Sequence, residues 1–294
     1  MIDVQQRSAQ LETTRIKREY FFSRVMSAAM NGFLILFAIT AIFPLVWLAY
    51  NSVKPGPEFA RDIFGLPSRV TFENYESIFS DSGVYQAFFN SLFAAIIATT
   101  VTVILSFVIA YFLARYRFRG RNLLYAFFLF GLLVPIHGLL VPVFVQFKEV
   151  GLLNNRFTLL APYTAFGMST SIFLIESYIR SIPTEMEEAA FIDGANTPTM
   201  LAFVIFPMCR PIIATAAVLG FLGNWNEFPF ALILLSSEEL KTIPLWLNTF
   251  KGQYTVNYTG LMAAMIIVSL PVISVYLIFR EKIIEGFISG SVKA

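Results

Sequence analysis

The feature that most constrains the fold is a run of 29 residues without a charge, at residues 25–53. About 20 apolar residues are enough to cross the hydrocarbon core of a bilayer as a helix. A basic segment, residues 1–24, precedes the run, but a secretory signal has only roughly 7–15 apolar residues. We therefore expect an uncleaved first transmembrane span that follows a cytoplasmic N-terminal segment of unassigned role.

Further apolar stretches predict five more spans, at residues 82–114, 122–147, 157–175, about 211–235 and 252–279. Only 14% of all residues are charged, against about 25% in soluble domains. Unpaired backbone groups are expensive in lipid, so spans of this kind form helices, and they lack the alternation of a membrane barrel. The predicted fold class is an all-α membrane protein with six transmembrane helices.

Basic residues predict the orientation, because Lys and Arg are enriched on the cytoplasmic side of membrane proteins. With the N-terminus inside, 14 of the 21 basic residues are cytoplasmic, and the densest group is ARYRFRGRN at residues 114–122. Both termini are therefore expected in the cytoplasm. The predicted organisation comprises an outer loop at 54–83, a five-helix core at 84–280 with a cytoplasmic loop at 181–207 and an outer loop at 236–258, and a C-terminal tail at 281–294.

The cytoplasmic loop of the core is longer than a connection between two spans requires. Thr184 and Glu187 have the spacing of a capping box, which predicts a helix that begins near Thr184. Gly194 is expected to end this helix by adopting a positive φ. A second, apolar helix is predicted to follow, with Thr197 as its N-cap and Pro198 at its first position.

The first of these helices combines three glutamates with small and apolar side chains. Ala189 and Ala190 permit close approach, so the helix suits a hydrophobic groove in a protein partner. The alternative is a helix that lies on lipid, but such helices usually carry Lys and Arg on the polar face. The glutamates therefore favour a protein partner.

This loop resembles the signature loop of permease subunits of binding-protein-dependent ABC importers: Glu-Ala-Ala, three residues, Gly, nine residues, then Ile-x-Leu-Pro. Val204 and Phe206 stand where that family has Ile and Leu. In the family this loop is a coupling helix that docks in a cleft of a cytoplasmic ATPase, where Glu188 would pair with a basic group. The resemblance implies ATPase coupling by Glu187, Glu188, Ala189, Ala190, Phe191, Asp193, Gly194, Ala195 and Pro207.

Other stretches are similar, in the same order, to the smaller, maltose-type permease of carbohydrate-uptake ABC importers. They include FENYESIF at 72–79, VPVFVQFKEVGLLNN at 141–155, WNEFPFALIL at 225–234 and EGFISGSVKA at 285–294. The resemblance runs from about residue 33 to the end and implies the type I importer permease fold in a bacterial cytoplasmic (inner) membrane. It implies import of a sugar, specifically an oligosaccharide; the alternative is an importer of the same kind for a non-sugar solute.

The same resemblance implies the partners: a second homologous permease, two ATPase subunits and an extracytoplasmic sugar-binding protein. None of the seven lysines follows a glycine, so the Gly-Lys-Ser/Thr of a phosphate-binding loop is absent from this sequence. ATP and Mg are therefore expected on the partner ATPase, with no cofactor on this chain, which is not expected to be an enzyme. One Cys and one His cannot form a zinc site, and a net charge of +2 does not suggest nucleic acid.

The translocation path is predicted from GNWNEFPF at residues 223–230. Glu227 lies well inside a predicted span, where a charge is a functional suspect. Asn224, Asn226 and Glu227 offer partners for sugar hydroxyls, and Trp225 offers a stacking face. The alternative is an interfacial Trp with Glu227 reaching water. The sequence leaves open whether this subunit or its partner permease contacts the sugar.

Two further contacts follow from the resemblance. Gln253 and Tyr254 of the outer loop would meet the binding protein, and a solvated loop is the alternative. Gly286, Gly290 and Lys293 would reach the ATPase pair, and a frayed terminus is the alternative.

Two other functional classes fit the sequence less well. An intramembrane enzyme needs converging acid, base, nucleophile or metal groups, and the predicted spans hold no such cluster. A secondary transporter usually shows repeat-related halves, which are not evident here.

Overall fold

The computed structural model describes residues 2–252 and 256–291, and the side chains of residues 22–252 and 256–281. These residues form α-helices and short helical turns without a β-strand; Lys251 and Val256 form one isolated antiparallel bridge. The all-α prediction is confirmed. The chain divides into two compact units, Met1–Thr71 and Phe72–Ala294, which are described separately.

The first unit contains helices α1 (Ile2–Ser52) and α2 (Gly56–Arg61). The chain after α1 folds around the side chain of Lys54, which is fully buried. Its Nζ donates to the carbonyl oxygens of Asp62, at 2.6 Å, and Gly65, at 2.8 Å. A buried ammonium is tolerated only when it is hydrogen bonded, so these bonds give the segment after α1 a defined shape.

The described residues of the second unit form twelve α-helices. They are α3 (Glu73–Ser80), α4 (Ser82–Arg115), α5 (Arg121–Phe130), α6 (Leu140–Glu149), α7 (Leu160–Ser181), α8 (Glu185–Ile192), α9 (Thr197–Met200), α10 (Phe206–Met208), α11 (Arg210–Trp225), α12 (Pro229–Leu234), α13 (Ile243–Leu247) and α14 (Tyr258–Ser291).

Three described helices are long and apolar enough to cross a membrane, at Phe22–Ser52, Ser82–Arg115 and Tyr258–Glu281. A fourth candidate is the pair Thr197–Met208 and Arg210–Trp225, which is bent by 78°. Length and apolar composition therefore identify three or four spans among the described residues, where the sequence predicts six.

Two predicted spans are interrupted in the structure. Within 122–147, α5 ends at Phe130 and α6 begins at Leu140, and a 3₁₀ turn at Ile136–Leu139 lies between them. Within 211–235, α11 ends at Trp225 before the short helix α12. Proline explains part of this pattern, since Pro135 precedes the 3₁₀ turn and Pro229 begins α12.

Helix α4 lies at the centre of the second unit, where it packs against α7 and α11. Small residues bring these helices close. A Cβ atom built on Gly167 of α7 would lie 3.1 Å from Thr102 Cγ2, and one on Gly220 of α11 would lie 3.4 Å from Thr99 Cγ2. Small residues are the usual means of close helix packing in membranes.

One end of α4 is part of a buried cluster that positions the loop helix α8. The cluster includes Tyr111 of α4, Ile179 of α7, Ala190 of α8 and Ile212 of α11. Met200, at the end of α9, is fully buried in the same cluster. The loop after α7 is therefore packed onto the helical core along much of its length.

We expect Gly167→Leu to lower the melting temperature of the purified protein. The larger side chain would meet Thr102, and overpacking a core contact costs about 1–3 kcal/mol. Thermal unfolding in detergent measures the effect. Gly32→Leu is the matched control, because nothing lies within 4 Å of a Cβ at Gly32. An equal fall in both variants would contradict the packing role of Gly167.

Candidate functional site

Helix α8 begins at Glu185, next to the predicted start at Thr184. The predicted capping box is wrong, however. Thr184 has a helical backbone, with φ −69° and ψ −23°, and makes no side-chain capping bond. The carboxylate of Glu187 is engaged elsewhere, because its side chain turns into the protein.

Glu187 forms a buried ion pair with Arg115, in the last turn of α4. Arg115 Nε donates to Glu187 Oε1 at 2.5 Å, and the two side chains are 11% and 10% exposed. The Tyr111 hydroxyl donates to Glu187 Oε2 at 3.0 Å, and Arg115 Nη2 donates to the carbonyl oxygen of Ile182 at 2.8 Å. These bonds join the end of α4 to α8 and to Ile182, in the loop between α7 and α8.

Gly194 ends α8 in the predicted manner. Its φ is +86°, a conformation that glycine adopts without steric cost. The Ala195 amide donates to the Ala190 carbonyl at 2.9 Å, and the Gly194 amide donates to the Phe191 carbonyl at 3.0 Å. This is the pair of bonds of a Schellman motif. The prediction for Gly194 is confirmed, and the chain reverses sharply after the helix.

The cap of the next helix is Asn196 and not the predicted Thr197. Asn196 has extended backbone angles, φ −79° and ψ 167°, and its Oδ1 accepts from the Thr199 amide at 2.9 Å. Asparagine is at least as good a cap as threonine, so the helix begins one residue earlier than predicted and Pro198 occupies its second position. After α9 the chain forms a π-helical turn at Leu201–Ile205.

The predicted coupling residues divide between two faces of the loop. Glu188, Ala189, Phe191, Asp193 and Gly194 are exposed. The others face inward to different degrees: Glu187 and Ala190 are buried, and Ala195 and Pro207 are half-buried. The outward face therefore combines two acidic groups, Glu188 and Asp193, with small and apolar groups.

Two more apolar side chains of this loop are exposed. Ile192 is 86% exposed at the end of α8, and Phe203 is 77% exposed in the π-helical turn. Phe203 escaped the sequence analysis because the whole second helix is apolar, so no pattern separates its outward residues from its buried ones.

A second buried carboxylate, Glu176 of α7, was also missed. It is 2% exposed. Arg180 Nε donates to its Oε1, and Arg121 Nη2 lies 3.6 Å from the same oxygen. The Glu-to-Arg spacing of four residues on a helix was the available signal. The predicted span ended one residue before Glu176, so this group was not treated as a charge within a helix.

A cavity of about 220 Å³ lies between α7, α11 and α12. Its polar lining includes Tyr163, Thr170, Asn224 and Glu227. Asn224 Nδ2 donates to Thr99 Oγ1 of α4 at 3.1 Å. Two of the four predicted path residues, Asn224 and Glu227, therefore line one cavity with side chains from neighbouring helices.

The carboxylate of Glu227 is hydrogen bonded to neighbouring protein groups at this cavity. It accepts hydrogen bonds from the Phe230 amide at 2.6 Å, the Ala231 amide at 3.2 Å and the Tyr163 hydroxyl at 2.8 Å. The two amides belong to the first turn of α12, where a carboxylate is favourable. Glu227 thus joins α7 to α12 at the wall of the cavity.

Trp225 and Asn226 lie outside the lining of this cavity. The Trp225 indole is 1% exposed and packs between Phe221, at 5.8 Å, and Phe88, at 5.6 Å between ring centroids. The stacking face predicted for Trp225 is therefore covered by its own chain. Asn226 is exposed and donates to the Leu222 carbonyl at 2.8 Å.

The remaining predicted contacts lie at the limits of the described chain. Gln253, Tyr254 and Lys293 are outside the described residues. Gly286 and Gly290 belong to α14, which continues to Ser291, so the predicted tail at 281–294 begins within a helix.

Residues 106–286 match the protein family described as "Binding-protein-dependent transport system inner membrane component". The chain belongs to this family. The match spans α8 and its turn as well as the helices that line the cavity. The permease is therefore an inner membrane component of a transport system, as the sequence predicts.

Two curated relatives illustrate the similarity. The permease is 33% identical to the diacetylchitobiose uptake system permease protein NgcG of Streptomyces coelicolor, over 91% of this chain and 89% of that protein. It is also 33% identical to the trehalose transport system permease protein SugB of Mycobacterium tuberculosis, over 86% of this chain and 93% of that protein.

A solved structure shares the fold. It is a crystal structure of a bacterial ABC transporter involved in the import of the acidic polysaccharide alginate. The TM-score is 0.78 at 26% identity, over 88% of this chain and 96% of that chain. The predicted permease fold of type I ABC importers is therefore confirmed.

We expect Gly194→Ala to loosen the end of α8. At φ +86° a Cβ atom costs about 1 kcal/mol, which corresponds to roughly fivefold faster exchange of the hydrogen-bonded Ala195 amide if exchange occurs by local opening. Hydrogen exchange with mass spectrometry measures the change. Gly194→Asn is the control, since asparagine tolerates this conformation better. Equal protection in the alanine variant and the wild type would contradict the prediction.

Proposed function

We propose that this permease is the transmembrane subunit of an ATP-driven, binding-protein-dependent importer of a sugar, specifically an oligosaccharide. The observation that carries the proposal is the family match over residues 106–286 together with the sugar transport named for its relatives. Those names include diacetylchitobiose and trehalose permeases and a multiple sugar-binding transport system permease. They favour a sugar over a non-sugar solute.

The proposed complex contains this permease, a second homologous permease, two ATPase subunits and an extracytoplasmic sugar-binding protein. ATP and Mg bind to the ATPase subunits, and this chain binds no cofactor. The absence of a Gly-Lys-Ser/Thr sequence in the chain supports this division, because such a loop supplies the amides and lysine that hold the phosphates. The family description, with its dependence on a binding protein, supports the last partner.

The proposed topology has six spans and both termini in the cytoplasm. The three long apolar helices and the bent pair that ends in α11 supply four of them. Helix α7 has 22 residues and is about 33 Å long, which is enough for a fifth. The sixth is a broken span of α5 and α6, which is tolerated where surrounding protein covers the irregular backbone.

The outward face of α8 is proposed to dock in a cleft of the ATPase. Ala189 permits close approach, Phe191 and Ile192 supply apolar contact, and Glu188 is free to meet a basic group, since each of these residues is exposed. An amphipathic helix in a groove is a recurring mode of recognition. Closure of the ATPase pair would then move α8 and, with it, the helices around the cavity.

The remaining proposed contacts are with the sugar, the binding protein and the ATPase pair. The cavity at Asn224 and Glu227 is the proposed path of the sugar. Trp225 and Asn226 are proposed to belong to the same path at positions outside the cavity lining. Gln253 and Tyr254 would contact the binding protein. The end of α14, with Gly286 and Gly290, and Lys293 would contact the ATPase pair.

We expect the reconstituted complex to import oligosaccharide only with ATP and binding protein. Uptake should stop when ATP is depleted and continue when the proton gradient is collapsed, because the energy comes from the partner ATPase. Radiolabelled saccharide accumulation in proteoliposomes measures both conditions. Uptake that follows the proton gradient instead would identify a secondary transporter and overturn the proposal.

Glu188→Lys is expected to uncouple ATP hydrolysis from uptake, with roughly a tenfold loss of uptake. A reversed charge at a docked surface brings like charges together, and a loss of about 1.4 kcal/mol is enough for a tenfold effect. Measuring uptake and ATP hydrolysis in the same vesicles gives the amount of sugar imported per ATP hydrolysed. Glu149→Lys, an equal charge reversal at an exposed residue of α6, should transport normally. Wild-type uptake in Glu188→Lys would rule out docking through this face.

Gly223→Trp is expected to block the path. Gly223 lines the cavity, and nothing lies within 4 Å of a Cβ atom built on it. A large ring can therefore enter the space without displacing the surrounding helices. Uptake should fall while the complex still assembles, and Gly223→Ala should transport normally. Unchanged uptake in the tryptophan variant would show that sugar passes elsewhere.

A further inference from the structure

The ion pair between Arg115 and Glu187 joins the last turn of α4 directly to α8. We propose that Arg115 is a positioning residue for coupling, which with Glu187 and Tyr111 fixes α8 to α4. A displacement imposed on α8 then reaches the cavity through α4. This inference rests on the proposed coupling function of α8.

The contacts of Arg115 make a link that resists separation. Its guanidinium binds the Glu187 carboxylate from one nitrogen and the Ile182 carbonyl from another. The second oxygen of Glu187 accepts from Tyr111. A buried charge that loses its partner is strongly destabilised, so α8 and the end of α4 are expected to move together.

Other charged groups near this loop have different partners. Among the described side chains, Arg121 and Arg180 both pair with Glu176, whereas Glu187 pairs with Arg115. Glu188, the next residue of α8, is exposed. The two adjacent glutamates thus have different roles. Glu188 faces the proposed ATPase cleft, and Glu187 connects α8 to the core.

Helix α4 continues from this link to the cavity. Thr99 lies 16 residues before Arg115 on the same unbroken helix, which is about 24 Å along its axis. Thr99 accepts the hydrogen bond from the cavity residue Asn224, and its Cγ2 would lie 3.4 Å from a Cβ atom built on Gly220 of α11. Thr102 approaches Gly167 of α7 in the same way. A rigid helix with tight contacts at one end and at its middle is a physical route for coupling.

The test compares uptake per ATP hydrolysed in the reconstituted complex. Arg115→Met leaves Glu187 buried without its cation and should lower this ratio about tenfold or more, while the ATPase subunits still co-purify. The charge-exchanged double variant, Arg115→Glu with Glu187→Arg, should recover most of the ratio. Arg117→Met is the matched control, because Arg117 is exposed; it should transport like the wild type.

Tyr111→Phe is a milder variant for the case in which Arg115→Met fails to assemble. It removes one hydrogen bond to Glu187 and keeps the ion pair, so we expect a fall of about fivefold in the ratio. A wild-type ratio in Tyr111→Phe and in any Arg115→Met complex that assembles would overturn the proposal. An exchanged pair that stays as uncoupled as the single variants would do the same.

The wild-type complex separates this inference from the function on which it rests. If the wild type imports no oligosaccharide with ATP and binding protein, the proposed function fails. If the wild type imports normally and the Arg115 and Tyr111 variants do so as well, only the link through α4 fails.

Discussion

Close packing at small residues holds α4, α7 and α11 together, because apolar side chains gain little by leaving lipid for another apolar surface. Ala95 and Ala98 of α4 are fully buried, and Gly167 and Gly220 bring α7 and α11 against the same helix. Helix α4 consequently reaches both functional regions. One end holds α8 through the Arg115–Glu187 pair, and its middle packs against the wall of the cavity.

Charged groups are few among the described side chains of this core, and the buried carboxylates Glu176 and Glu187 are both paired. Desolvation makes an incomplete pair costly, so Arg115 with Glu187 and Arg121 with Glu176 act as fixed connections between elements. Both arginines belong to the segment whose positive charge predicts a cytoplasmic location. The same residues thus carry an orientation signal and supply the partners of two buried carboxylates.

Local chemistry made α8 and its glycine turn predictable. A glycine three residues after a short amphipathic pattern needs no distant partner to end a helix, and Gly194 does so at φ +86°. The N-cap of α9 was less predictable, because Asn196 and Thr197 are adjacent and either side chain can cap a helix. The surroundings of Trp225 could not be predicted from the sequence. Its chemistry suggests a sugar contact, but in the structure its ring packs against Phe88 and Phe221.

The sequence by itself determined a helical membrane protein with a short helix and a glycine turn at α8, since the length of apolar runs and the chemistry of turns are properties of neighbouring residues. Only the tertiary structure decided which of two adjacent glutamates faces inward. That choice depends on Arg115, which is 72 positions from Glu187 in the chain and reaches it only after α4 and α8 have packed. The walls of the cavity were decided in the same way, because they are formed by helices whose contacts no local pattern encodes.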